Sequence, residues 1–356
     1  MKSWKMITKV KLLFLLAFAA FVFAFIVPVG KTQTQVVTAG QKFKNIKVLN
    51  DLPADQLGPV MDVMAASLGV DCKMCHVSNE KDFDKDDIDH KDIARKMIKM
   101  TLEINKANFD GKPEVSCNTC HNGHERPASV AALYPLPRVE RPKQPATRPT
   151  IDQLLEKYAA AVGGKGTAGA SSRRITAARI EANGTTTEPE EIWQKGAKSL
   201  TTTKYGEYLI TEAFDGEKAW KKSNNEPIPL RRDEAEQIKR DSMIFGNPDL
   251  RSVYTRMDVR FLDRIDGRDV YMVQAATADN QRERLYFDAQ TGFLVRRIAS
   301  MPTIVGQFQY QVDYADFKDF AGVKLPTTIK FAIPALRWTR KILDVKNEAI
   351  ADSKFS

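Results

Sequence analysis

All four cysteines of the chain fall in two short strings, Cys72-Lys73-Met74-Cys75-His76 and Cys117-Asn118-Thr119-Cys120-His121. Each reads Cys-x-x-Cys-His, the attachment pattern for a c-type haem. The chemistry accounts for the spacing. Two thiols three residues apart reach the two vinyl groups of one porphyrin and form thioethers, and the adjacent histidine sits under the iron as its proximal ligand. The pattern predicts two covalently attached haem c groups, held by Cys72, Cys75, Cys117 and Cys120, with His76 and His121 on the irons. A zinc ribbon also pairs two Cys-x-x-Cys units, but it has no need of a histidine directly after the second cysteine in both. Here that position takes two of only four histidines in 356 residues. A disulfide framework fits poorly, because a chain of this length stabilises its core without cross-links.

The sixth iron ligand is open to several residues. Met61 and Met64, and likewise Met97 and Met100, stand three apart on helical stretches, so either member of each pair could approach an iron. Helical methionines are also ordinary core filler. His90 and His124 are competitors, although both lie in very polar surroundings. Arg95 offers a charge for a propionate, or else an exposed helix cation. Asp82, Asp84 and Asp86 have the spacing of a calcium loop, but Asp87 stands where that loop needs glycine and Ile93 where it needs glutamate.

These residues need elements to position them. Residues 53–68 read as a helix, with Leu57, Val60, Met61, Met64 and Leu68 at helical spacing, running into the first motif. Residues 91–108 read as a second helix, with Ile93, Met97, Met100 and Ile104 on one face, leading to the second motif. The plan, helix with a Met-x-x-Met pair and then Cys-x-x-Cys-His, thus occurs twice. A proline-rich stretch over residues 135–150 reads as an extended, stiff linker between two units sharing little interface. Beyond it, residues 151–162 predict a short helix and residues 233–245 another. Strands over 270–275, 284–287 and 293–298 lie between turn signals at Asp215-Gly216, Asp266-Gly267, Asp279-Asn280, Thr291-Gly292 and Ala321-Gly322. Trp193, Trp220 and Trp338 are expected in a core or groove.

The N-terminus is read as a targeting element. Lys2, Lys5, Lys9 and Lys11 precede an uncharged apolar run over residues 12–29. Eighteen residues just suffice to cross a bilayer, and no small-x-small cleavage site follows. The reading is an uncleaved anchor with a cytoplasmic N-terminus, by the positive-inside rule, with a cleaved signal as the alternative. Either way residues 31–356 are expected outside the cytoplasm, in the periplasm. The net charge of +9 divides as +4 over residues 1–30, +2 over 31–150 and +3 over 151–356. No segment is basic enough for a nucleic-acid footprint. The organisation is then a signal or anchor at 1–30, a tether at 31–44, a diheme cytochrome c domain at 45–134, the linker at 135–150 and a β-rich domain at 151–356. The fold class is multidomain α + β: a mostly helical diheme domain followed by a curved antiparallel sheet with helices.

Residues 45–128 resemble the cytochrome subunit of photosynthetic reaction centres, a family of periplasmic multihaem cytochromes. The resemblance is carried by Val60-Met61-Asp62-Val63-Met64, by Ala94-Arg95-Lys96-Met97-Ile98-Lys99-Met100-Thr101 with Glu103-Ile104-Asn105, and by Val115-Ser116 through Asn122-Gly123 around the second motif. In that family a methionine of the preceding helix supplies the sixth iron ligand, which the resemblance places on Met61 and Met97. The chain departs from the reaction-centre members in having two motifs rather than four, no histidine between Asn108 and Cys117, and a histidine at 124. It therefore looks like one diheme half, and the resemblance implies no photosynthetic role. The C-terminal part resembles the lipoprotein-carrier-like fold through Phe287-Asp288-Ala289-Gln290-Thr291-Gly292-Phe293-Leu294-Val295, Tyr314-Ala315-Asp316-Phe317 and Gly322-Val323-Lys324-Leu325-Pro326. That likeness implies an apolar ligand on the concave side of the sheet.

Methionine and histidine together fill both axial positions and raise the reduction potential relative to two histidines. A six-coordinate iron leaves no place for a substrate, and the chain shows no nucleophile–base pair or Gly-rich phosphate loop. The expected function is one-electron transfer between membrane or periplasmic redox proteins as donor and acceptor, rather than an enzyme. The alternatives are a diheme enzyme such as a peroxidase, or an apolar-ligand-binding β domain with an accessory cytochrome.

Overall fold

The structure, a computed structural model, describes residues 36–76, 82–127, 142–164, 172–185 and 187–356. The apolar run at 12–29, most of the tether's start and residues 128–141 of the linker region lie outside the described residues. Among the described residues no helix is long and apolar enough to cross a membrane.

Six α-helices occur among the described residues: α1 (Ala39–Lys42), α2 (Leu57–Leu68), α3 (His90–Asn108), α4 (Cys117–His121), α5 (Ile151–Ala161) and α6 (Arg232–Ile244). A 3-10 turn over Ala54–Gln56 leads into α2, which tolerates Pro59 because its first turn needs no amide partner there. Gly69, in the left-handed conformation at φ 70°, stops it. Thr150 and Gln153 cap α5 reciprocally, each side chain taking the other's backbone N–H at 3.2 and 2.9 Å.

The first six strands are β1 (Ser172–Glu181), β2 (Thr187–Lys195), β3 (Lys198–Tyr205), β4 (Tyr208–Phe214), β5 (Ala219–Ser223) and β6 (Glu226–Pro227). After α6 come β7 (Arg256–Ile265), β8 (Arg268–Ala276), β9 (Arg282–Asp288), β10 (Leu294–Thr303), β11 (Gly306–Phe320), β12 (Val323–Ala332) and β13 (Arg337–Asn347). They form one antiparallel sheet in the order β6-β5-β4-β3-β2-β1-β13-β12-β11-β10-β9-β8-β7. Two meanders are joined where the first strand pairs the last. Bulges at Thr176/Ala177, Val259/Phe261 and Leu294/Arg296 bend the strands and increase their twist. Asp266-Gly267 and Ala321-Gly322, both with positive φ at each residue, make the tight hairpins their sequences predict.

Helices α5 and α6 cover one face. Leu154, Leu155 and Tyr158 of α5 share a core with Ile175, Val273, Leu285, Phe287, Tyr310, Val312 and Ile329 of the strands. On the other side of the sheet's first meander, Trp193 and Trp220 pack with Leu200, Ile350 and Phe355, and the Trp220 indole donates to the Phe355 carbonyl at 2.9 Å.

The helical segment and the sheet are not separated as the proline content predicts. A second cluster joins Ala39, Leu49, Leu52, Val60, Val63 and Ile98 to Val305 and Phe308 of the β10–β11 hairpin, with Met301 and Ile304 beside them. The physical reason is size: so short a helical segment cannot bury its own apolar faces. The hairpin completes its core. Along β11 the alternating inward residues Phe308, Tyr310, Val312 and Tyr314 pass from one core to the other. The described part of the linker lies against the sheet as well. The Gln144 amide donates to Leu262 O at 2.7 Å and accepts from Leu262 N at 2.8 Å, pairing with edge strand β7 as a backbone would.

Candidate haem-attachment site

Each Cys-x-x-Cys-His string sits on a single helical turn. The first forms a 3-10 turn over Cys72–Met74, capped by Asp71, whose carboxylate accepts from Lys73 N at 2.9 Å. The second is α4 itself, entered through a capping box of Ser116 and Thr119. One turn brings the paired thiols to the same side and sends the histidine onward. Cys72 and Cys120 are exposed, Cys75 and Cys117 half-buried. Burial raises the Cys75 and Cys117 thiols above their usual range.

The two motif histidines share a second feature. His76 Nδ1 lies 3.1 Å from the Phe83 carbonyl oxygen, and His121 Nδ1 lies 3.0 Å from the His124 carbonyl oxygen. A carbonyl only accepts, so each ring carries a proton on Nδ1, which makes Nε2 the nitrogen that a neutral ring would offer to a metal. Burial, with the Lys91 charge adding to it, lowers the pKa of His76 and keeps that ring neutral. The Phe83 ring also packs on His76, with centroids 4.6 Å apart.

The methionine pairs separate in the structure. Met64 packs against the helical-segment core, whereas Met61, half-buried on the same helix, belongs to no such cluster. On α3 the core is met by Ile98, Thr101, Leu102 and Asn105. Ile93, Met97 and Met100 are 53%, 38% and 42% exposed on the outer side. Helix α3 is thus apolar on two faces, and the outer face is the one the sequence periodicity picks out. Free thiols three residues apart, each pair followed by a histidine oriented through Nδ1, fit a covalently attached haem at each motif.

The remaining candidates fall as follows. Arg95 is committed to two carboxylates, Asp86 at 2.7 Å and Asp92 at 2.6 Å. Asp86 also takes Lys47 at 2.7 Å, and these bonds, Arg95 first, hold its carboxyl well below the usual range. Among the described residues no cluster of three His, Cys, Asp or Glu side chains is placed to hold a metal ion, the Asp82–Asp86 stretch included. His90, a competing ligand by sequence, opens α3 and its Nδ1 lies 2.7 Å from the Met74 carbonyl oxygen inside the first motif. His124 contributes through its backbone carbonyl, which any residue type would supply.

The two motifs adjoin at the end of α2. Gly123 N donates to Ser67 O at 2.8 Å, and Cys117 N donates to Val305 O at 3.4 Å across to the hairpin. Arg231, paired with both oxygens of Asp233 near the start of α6, reaches Asp62 of α2 at 3.8 Å. Sequence reasoning misses the hairpin's part in this site. The apolar run Met301 to Val305, odd for a hairpin tip, is the signal that could have found it.

Between α6 and the sheet the interior is filled by charge. Arg297, 1% exposed, pairs with Asp241 and with Glu283 at 3.3 Å, while Arg240 holds Glu283 at 2.9 Å. Tyr310 donates to Asp241 at 2.6 Å and Tyr254 to Glu283 at 2.5 Å. The void bounded by Tyr158, Ile244, Leu294, Tyr314 and Phe317 measures about 20 Å³, room for one water rather than an acyl chain.

Residues 22–153 match the family described as photosynthetic reaction centre cytochrome C subunit, and the resemblance carried by residues 45–128 lies inside that match. A photosynthetic reaction center cytochrome c subunit from Roseobacter denitrificans is 33% identical over 97 residues. That alignment covers 25% of this chain and 26% of the relative, so the chain spans about a quarter of the relative's length. Among solved structures, a LolA superfamily protein from Nitrosomonas europaea is similar at TM-score 0.44 and 15% identity, over 59% of this chain and 98% of that one. A DUF1329 family protein from Desulfovibrio piger is similar at TM-score 0.40 and 10% identity, over 58% and 97%.

Proposed function

We propose that the chain is an exported diheme c-type cytochrome that passes single electrons between redox partners at the membrane surface. The observation that carries this reading is the matched pair of motifs in which both histidines are held through Nδ1 by a backbone carbonyl, so that Nε2 is the nitrogen left for an iron. Haem c supplies reversible one-electron chemistry when bound. The chain's own residues attach, orient and cover it. Cys72 and Cys75 hold one group and Cys117 and Cys120 the other, with His76 and His121 as the proximal ligands.

For the distal ligands the structure supports Met61 over Met64, because Met64 is engaged in the core. Met97 takes that role for the second haem on the strength of the family match, from the outer face of α3. Arg95 serves a propionate only by sharing its guanidinium with Asp86 and Asp92, so its main work is to tie the 82–89 loop to α3. Residues 45–134 are the haem-bearing stretch, and residues 151–356 form a platform fused to it through the β10–β11 hairpin. Residues 12–29 anchor the chain, with residues 31–356 in the periplasm. The electron-transfer reading does not depend on an apolar ligand of the sheet.

Intact-mass measurement on denatured protein tests the proposal. Two haem additions are expected, with one lost when Cys72 and Cys75 are both replaced by Ser. A mass equal to the bare polypeptide would overturn it. Reduced protein is expected to bind carbon monoxide poorly, and rapid peroxide turnover would favour the diheme enzyme instead.

A further inference from the structure

The two motif histidines are held alike but not in the same surroundings. At the second motif the His124 carbonyl oxygen faces the His121 ring. At the first, the Phe83 carbonyl oxygen accepts from two donors: His76 Nδ1 at 3.1 Å and the Lys91 ammonium at 2.7 Å. Lys91 also donates to the Lys85 carbonyl, so the 82–85 turn fixes its head group. Its neighbour His90 is fixed to Met74 O within the motif, which pins the start of α3 at this place.

We infer that Lys91 is a positioning residue that sets the two haems apart in reduction potential, raising that of the first; this rests on the proposed diheme function. Two physical effects act in the same direction. A carbonyl already bound to an ammonium is a poorer acceptor for the Nδ1 proton, so His76 donates less electron density through Nε2 than a histidine with an unshared acceptor. The oxidised centre also carries one more positive charge than the reduced one, and a nearby fixed cation disfavours it. Both effects favour the reduced state at the first motif. Among the described residues no ammonium shares the acceptor of His121 in this way. The chain thereby has a built-in order: an electron arriving at either haem settles at the first.

The test uses the full, haem-loaded chain and a spectroscopic redox titration that resolves two midpoints. The variant Lys91→Met should lower one midpoint and leave the other in place. The midpoint that moves should be the one absent from the C72S/C75S double variant. Lys91→Arg, which keeps the charge and can still donate to Phe83 O, should restore most of the separation. In proton spectra of the oxidised protein, the Nδ1 proton of one axial histidine should shift in K91M while its counterpart stays. A role limited to holding the turn together would lower thermal stability without splitting the midpoints this way. Haem-loaded K91M with both midpoints unmoved, or both shifted equally, overturns the assignment alone. A wild-type chain that carries no haem overturns the proposed function, and the assignment with it.

Discussion

Gly69 and Gly123 touch: a Cβ built on Gly69 would come within 2.2 Å of the Gly123 carbonyl oxygen. Gly69 stops α2 ahead of the first motif, and Gly123 follows the second, so this contact is where the two attachment turns are pressed together. Each glycine has positive φ, but only Gly69 also faces backbone at that range.

Gly69→Ala is therefore expected to cost more than Gly123→Ala. The left-handed conformation alone costs roughly 1–2 kcal/mol for a residue with a Cβ. At Gly69 the two attachment turns must also separate. Thermal unfolding should show the larger fall for Gly69→Ala, with a change in the absorbance of both haems. Equal falls would mean the two turns are not in contact.

Met61 and Met64 make a matched pair of substitutions on one helix. Met64→Ala should lower stability by about 2–5 kcal/mol, nearer the low end because the side chain is only half-buried, and leave the haem spectrum unchanged. Met61→Ala should do the reverse: little loss of stability, a new high-spin signal and carbon monoxide binding at one haem. If Met64→Ala opens the site instead, the ligand has been assigned to the wrong residue.

Phe308, 2% exposed at the start of β11, should link the unfolding of the helical segment to that of the sheet. Phe308→Ala is expected to cost about 3–5 kcal/mol. In the wild type, haem absorbance and far-ultraviolet dichroism should change in one transition. In the variant they should part, the helical segment melting first. Two well-separated transitions in the wild type would show that the hairpin carries no coupling.

Asp86 gives a pH signature. Its carboxyl is held below the usual range by Arg95, then Lys47 and Asn45, so the folded form binds a proton less readily than the unfolded chain. The stabilisation is present above the unfolded value of about 3.9 and fades as pH falls toward the folded one. Asp86→Asn should lower the urea midpoint modestly at pH 7, since the Asp86 carboxylate is partly exposed and screened although Arg95 beside it is largely covered. The gap between variant and wild type should close on acidification toward pH 2. A gap that stays constant would assign it to packing.

Much of this was legible because periodic signals are local. The helices at 57–68 and 90–108, the hairpins at Asp266-Gly267 and Ala321-Gly322, and both attachment turns follow from spacing and turn chemistry within a few residues. The outer stripe of α3 is legible in the spacing of Ile93, Met97 and Met100, whereas its second apolar face, through Ile98 and Leu102, is not separable from it by spacing alone. What sequence could not give was the partner of each face. Nothing near Val63 or Ile98 announces that Val305 and Phe308, some two hundred residues later, complete their core. The prolines of the linker pointed to separation, because stiffness is encoded locally and the docking of Gln144 on Leu262 is not. Lys91 carried no signal at all, since its effect depends on where the Phe83 carbonyl lies.

The borrowed hairpin also fixes an order in time. Both attachment strings are complete at residue 121, whereas Met301 to Phe308 follow about 180 residues later. At a synthesis rate of about 5–20 residues per second, that interval lasts roughly 9–36 s. Throughout it the four thiols belong to a segment whose apolar floor has not yet been made. Only once β10 and β11 exist can Phe308 pack with Val60 and Val63 of α2, and only with the last strand do the two meanders join into one sheet. The floor of the helical segment is therefore among the later parts of the chain to be laid down, although the walls it supports come first.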